Sequence, residues 1–140
     1  MLTAKLLHPE ILSALAKCGH FSKILIADGN YPALTMSNPA AVKVFLNLMP
    51  GVPTVSQTLE ALVSASVFQE AAVVAPPDDS FRAVHREYAA MLPGITLKEM
   101  ERFAFYEEAK SSSLGLLILT ADTRRFANLL LTVGVVKAAQ

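Results

Sequence analysis

Three features of one short stretch could do chemistry together: a histidine, an apolar run and a carboxylate at a turn. Gly19-His20 precedes Ile24-Leu25-Ile26-Ala27, and Asp28-Gly29-Asn30-Tyr31-Pro32 follows it. An imidazole titrates near pH ~6.5, so His20 can both give and take a proton around neutrality. Asp28 can bind a hydroxyl or hold a hydrogen-bonded ring. By spacing alone the same residues fit a loop histidine and a turn-forming aspartate better than a site. Other chemistries lack their residues. His8, His20 and His85 are dispersed and Cys18 is alone, which makes no zinc spacing. There is no glycine-rich phosphate loop, no dinucleotide fingerprint and no Gly-x-Ser-x-Gly elbow. What remains is an acid–base site, or a binding site, that needs no metal or redox cofactor.

The elements that must position these residues follow from pattern. Ile24 to Ala27, bounded by polar residues and a turn signal, reads as a buried strand. His20 then precedes the strand and Asp28 leaves its carboxyl end, where ligands sit in open α/β sheets. The two meet only if the Gly19–Ser22 loop folds back or a neighbouring chain supplies one of them. Pro9 and Glu10 start a helix carrying Ile11, Leu12, Leu15 and Ala16 at helical spacing, with His8 as an entry residue and Gly19 as a left-handed cap. Asn38-Pro39 could open a helix, but Val42, Val44, Leu46 and Leu48 alternate at strand period. Thr54-x-x-Gln57 is a capping box ahead of a helix over 55–64. A strand over 67–75 ends at Pro76-Pro77. Asp79 or Ser80 caps a helix with Phe81, Val84, Tyr88 and Met91 on one face, and His85 reads as solvated. A charged edge strand over 95–101, a helix over 102–110 and an apolar strand over 114–120 come next. A polar turn or short helix over 121–125 leads to a last strand, 129–136, interrupted by Gly134. Alternating strands and helices predict an α/β fold, a single-domain layered sheet flanked by helices over residues 1–140.

Composition sets limits on partners. The 140 residues are 53% hydrophobic and 17% charged, with a formal net charge of +0. With no run rich in Lys and Arg, a nucleic-acid or anionic-membrane partner is not expected. The longest apolar runs, such as 114–119, fall far short of a membrane span. Apolar surface in excess of one small core points to burial between subunits. A lone cysteine and the absence of a secretory pattern fit a reducing cytoplasm.

Beyond the residues themselves, the opening motif of Gly19-His20, an apolar strand and Asp28-x-x-Tyr31-Pro32 resembles that of the ribose pyranase and fucose mutarotase family. Arg102-Phe103-Ala104-Phe105-Tyr106-Glu107 is similar to the fucose mutarotase branch. Phe126-Ala127-Asn128-Leu129-Leu130-Leu131 with Gly134-Val135 resembles the family's closing strand. The resemblance implies interconversion of ring or anomeric forms of a free monosaccharide, L-fucose or a related sugar, without a cofactor. It implies His20 as proton donor, and Asp28, Arg102, Phe126, Ala127 and Asn128 as sugar contacts. It also implies a large homo-oligomer, typically a decamer, with sites near subunit boundaries. Ribose pyranase activity and a non-catalytic accessory of sugar uptake are the alternatives. The chain departs from the family at Phe126, where tyrosine is usual, at Ser22, where an acid is usual, and at Thr120-Ala121-Asp122 in place of Thr-Gly-Glu. Taken singly, Arg102 could instead pair with Glu99 or Glu107, Asn128 could cap a strand, and Phe126 and Tyr106 could be core aromatics.

Overall fold

The computed structural model describes residues 1–139. Six strands, β1 (Lys23–Ala27), β2 (Val42–Phe45), β3 (Phe68–Val74), β4 (Leu97–Met100), β5 (Leu114–Leu119) and β6 (Leu129–Val133), form one sheet in the order β2-β5-β1-β6-β3-β4. Four helices pack on it: α1 (Pro9–Lys17), α2 (Val55–Val63), α3 (Ala83–Met91) and α4 (Arg102–Lys110). The α/β fold expected from the alternating pattern is therefore present. Among the described residues no helix is long and apolar enough to cross a membrane.

Strand alternation sorts the side chains onto two faces. Ile24, Ile26, Ala71, Val73, Leu129 and Leu131 pack with Ile11 and Ala14 of α1, Leu59 and Leu62 of α2, and Val84 and Tyr88 of α3. Leu25, Ala27, Ala72, Val74 and Leu130 pack with Phe105 and Ala109 of α4 and with Tyr31, Ala33 and Ala41 of the segment after β1. The helices are built for these faces. α2 buries Val55, Thr58, Leu59 and Leu62 at one-face spacing, and its Thr54–Gln57 capping box is formed in both directions.

The topology decides where a site can be. β1 is parallel to β5, β5 to β2, and β3 to β4, whereas β6 runs antiparallel between β1 and β3. Its pairing of Leu129 with Ile26 on one side and Val73 on the other puts the residues just before β6 at the carboxyl ends of β1 and β3. Residues 28, 74, 102 and 126–128 thus converge from four separate parts of the chain.

Several local expectations change. Helix α1 ends at Lys17 with Cys18 as an extended cap, and the left-handed residue of the turn is Phe21 (φ 71°), not Gly19. Asp78 caps a 3-10 turn over Asp79–Phe81, so α3 begins only at Ala83. Residues 121–125 form no helix. The last strand stops at Val133, because Gly134 N–H turns to the Val67 carbonyl (2.8 Å). β6 is also an interior strand, buried throughout, so it does not itself invite pairing with another chain. The edges do that instead, and unequally. β4 carries Lys98 and Glu99, charges that discourage edge pairing, whereas β2 exposes Val42 and Phe45.

Candidate functional site

Asp28 follows directly on β1 and is 6% exposed. Its backbone N–H donates to Asn128 Oδ1 (2.8 Å), and its Oδ1 accepts from Asn30 N–H (2.9 Å). An N–H donor requires the oxygen of the Asn128 amide, which leaves the Asn128 NH2 as the free end. Asn128 is thereby a brace between β6 and the end of β1, not only a strand cap. Gly29 lies against the next strand's exit: its N–H donates to Asp122 O (2.9 Å), and a Cβ there would sit 3.4 Å from Ala121 Cα. Burial pushes the Asp28 carboxyl up to about 6, adding to which is the nearby negative Asp122, while the Asn30 N–H bond pulls the other way. A carboxyl poised there can hold or release a proton near neutral pH.

Arg102 opens α4. Glu101 caps that helix, accepting from Phe103 N–H (2.9 Å) and Ala104 N–H (3.0 Å) through one carboxylate oxygen. Phe105 and Ala109 bury one face, so Arg102 and Tyr106, four residues apart, share the neighbouring one. Arg102 does not pair with Glu99 or Glu107, since those carboxylates bind Arg82 and Lys110. Its guanidinium lies 5.9 Å from the Phe126 ring centre.

Phe126 is half-buried with φ 61°, a left-handed conformation costly for a non-glycine residue. Two side chains of α3 hold the backbone there. His85 Nε2 lies 2.7 Å from the Phe126 carbonyl oxygen and Tyr88 OH donates to the Ala127 carbonyl (2.6 Å). His85 is 5% exposed, so its expected solvated role is wrong: α3 lies over the start of β6, and the ring is turned in to satisfy a main-chain acceptor. The Phe126 side chain packs edge-on against Phe81 at 5.0 Å.

These parts enclose a pocket of about 230 Å³ lined by Asp28, Asn30, Tyr31, Val74, Arg102, Tyr106, Arg125, Phe126 and Asn128. Tyr31 and Tyr106 meet edge to face at 5.5 Å, and Tyr31 OH is tied to Met36 O (2.7 Å). The volume is below the range of drug-sized sites and suits a small ligand. Aromatic faces, a carboxylate, an amide and guanidinium groups match the needs of a polyol that has both apolar C–H faces and hydroxyls.

Asp122 supports the floor from behind. Burial alone would raise its carboxyl, but Arg124 bonds both its oxygens (3.0 and 2.7 Å), and Val55 N–H donates to it (2.9 Å), so it stays below the ordinary carboxylate range. Arg124 is in turn held by Glu87 (2.5 Å).

His20 is not in this pocket. It lies at the amino end of β1, the far side of a strand that spans about 16 Å. The loop does not fold back: Phe21 N–H donates to Val133 O (3.1 Å) and Ser22 N–H to Gly19 O (3.1 Å). The His20 ring is exposed, stacked on the exposed Phe21 ring at 3.7 Å, with Nε2 2.9 Å from Gln69 Oε1. So one chain brings together Asp28, Arg102, Phe126 and Asn128, with Ala127 fully buried behind them, and leaves His20 apart. Sequence reasoning left Asn30, Tyr31, Tyr106 and Arg125 out of the site. Tyr31 and Tyr106 stood inside the two motifs already noted, whereas nothing in pattern marked Arg125 or His85.

A model of the RbsD / FucU transport protein family matches residues 1–136. The chain is 31% identical to the fucose mutarotase of Homo sapiens, over 93% of this chain and 90% of that protein. It is 26% identical to the L-fucose mutarotase of Actinobacillus pleuropneumoniae serotype 5b, over 91% and 90% respectively. Among solved structures, Bacillus subtilis RbsD complexed with D-ribose superposes with a TM-score of 0.85 at 23% identity, covering 98% of this chain and 100% of that one. The fucose mutarotase of Streptococcus pneumoniae in complex with L-fucose gives a TM-score of 0.72 at 25% identity, over 93% and 94%.

Proposed function

Because the chain belongs to the RbsD / FucU transport protein family, we propose that it is an isomerase that interconverts ring or anomeric forms of a free monosaccharide, L-fucose or a related sugar. The observation that carries this reading is the pocket in which Asp28, Arg102 and Asn128 converge beside Tyr31, Tyr106 and Phe126. Opening a hemiacetal moves one proton onto the ring oxygen and takes one from the anomeric hydroxyl. The freed aldehyde rotates and the ring recloses on either face. His20 gives the ring oxygen its proton and takes up the one the anomeric hydroxyl releases, and reclosure reverses both transfers, so the enzyme is unchanged after each turnover. Asp28 accepts from a sugar hydroxyl, the Asn128 NH2 donates, and Arg102 offers its fork of donors. General acid–base catalysis of this kind contributes roughly two to four powers of ten, enough for a reaction that already proceeds in water.

The same reading requires a neighbour. His20 reaches a pocket only in another copy of the chain, and the exposed His20–Phe21 stack is suited to that. Leu34, Phe45, Leu48 and Met49 are exposed apolar surface for assembly to cover. We therefore propose a closed homo-oligomer larger than a dimer, a decamer in the family's manner, acting in the cytoplasm. Binding without turnover is the second reading, favoured by the place of His20 outside its own chain's pocket. Exchange NMR on a panel of free sugars separates the two. The native protein is expected to accelerate anomer exchange of fucose, and His20→Ala to abolish it with fold and assembly intact. Wild-type exchange in the folded variant would refute the role of His20, and no acceleration of any sugar would leave binding alone.

A further inference from the structure

The sequence holds five arginines, and three of them, Arg82, Arg86 and Arg124, are ion-paired. The other two, Arg102 and Arg125, both line the pocket and make neither an ion pair nor a hydrogen bond among the described residues. They come from different elements, one from the start of α4 and one from the loop before β6. Yet both guanidiniums lie near the same ring, 5.9 Å and 5.3 Å from the centre of Phe126. Arg125 is set in place by a second ring as well, 5.1 Å from the centre of Phe81. A stacked guanidinium keeps its N–H edge free for an acceptor.

The charge at the pocket is therefore unbalanced. Two exposed cations, Arg102 and Arg125, share the pocket lining with one carboxyl, Asp28, which is buried and makes no ion pair among the described residues. Two like charges near one ring repel, and the water that screens them at this exposed edge is displaced when a ligand enters the pocket. A neutral sugar has no charge to offset that repulsion, and hydroxyl recognition in the reading above uses only Arg102. An anionic group between the two forks would answer both, since carboxylate and phosphate match the guanidinium geometry.

We propose that the preferred substrate of this site is a monosaccharide bearing an anionic substituent away from its anomeric carbon, with Arg125 the residue that selects it. The proposal rests on the sugar-isomerase reading of the pocket and narrows its substrate class. The anomeric centre stays free to open and close, so the proton chemistry is unaltered. A sugar carboxylate and a sugar phosphate ester present the same chemistry to Arg102 and Arg125, and the test separates them.

Anomer exchange is measured by NMR for a neutral hexose, the matching uronate and the matching 6-phosphate, using the native assembly. One anion is expected to exceed the neutral sugar in kcat/KM by about ten- to hundredfold, the range of a charged hydrogen bond. Arg125→Leu should collapse that ratio toward one, and Arg125→Lys should retain part of it, with circular dichroism confirming that both fold. Preference for the uronate assigns a carboxylate, and preference for the 6-phosphate assigns a phosphate ester. Equal or better use of the neutral hexose by the native protein would overturn the proposal, as would a preference that survives Arg125→Leu. Calorimetric binding keeps the two readings apart. Anion binding that depends on Arg125, without exchange of any sugar, upholds Arg125 as the anion-selecting residue but overturns the sugar as a substrate. Exchange of neutral sugars with no anion preference does the reverse.

Discussion

Replacing Asp28 by asparagine removes a buried charge but leaves an oxygen where Asn30 N–H donates. Burial carries the Asp28 carboxyl from its ordinary 3.8 to about 6. A shift of that size corresponds to about 3 kcal/mol of preference for the protonated form in the folded chain. Between those two values the folded state binds more protons than the unfolded one. The stability Asp28 contributes is thus fully present below pH ~4 and is lost as pH rises through ~6. Glu87 and Asp122 are held below the usual carboxylate range by their partners, so they contribute the opposite slope at acid pH. Glu87 and Asp122 keep their hydrogen-bond partners in Asp28→Asn, so the difference between the two proteins reports Asp28 together with its coupling to Asp122. Urea unfolding of both, from pH 4 to 8 at constant chain concentration, is the assay. The variant should gain on the native protein by up to about 3 kcal/mol as pH rises across that window, while sugar exchange is lost. A stability difference that stays flat with pH, or one that moves toward the native protein, would refute the buried-charge reasoning.

His85→Leu removes the partner of the Phe126 carbonyl and should cost about 1–3 kcal/mol in urea unfolding, the price of an unsatisfied buried acceptor. His85→Gln, which can still donate, should recover part of that. Phe126→Tyr returns a hydroxyl to the edge of the pocket and should improve fucose exchange by about three- to tenfold, matching one net hydrogen bond; no change or a loss would mean the pocket is shaped for another ligand.

The fold was largely legible because its strands are short apolar runs with clear punctuation. Ile24–Ala27 and Leu114–Leu119 needed no tertiary information, and the Thr54–Gln57 capping box announced α2. Less was legible wherever the chain's partner lies far away in sequence. The order of strands puts β6 between β1 and β3, which no local pattern records, and that order alone makes Asn128 a neighbour of Asp28. His85 sits beside charged Arg86 and Glu87 and reads as solvated, until the packing of α3 over Phe126 turns its ring inward. Gly19 satisfied the local rule for a helix cap, but the left-handed turn falls on Phe21, where hydrogen bonds to Gly19 and Val133 bracket it. The separation of His20 from Asp28 was readable, since both positions follow from the ends of one strand. The pocket's second arginine was not, because an Arg in a polar loop has no signature until two aromatic rings are found beneath it.

The most direct test of a sugar site built between copies is to co-express His20→Ala and Asp28→Asn chains and measure anomer exchange in the purified mixed assembly. Each variant alone should be inactive. In a random mixture about one site in four joins an intact His20 from one chain to an intact Asp28 from its neighbour, so about a quarter of native exchange should return. A mixed assembly as inactive as its components would contradict the shared site.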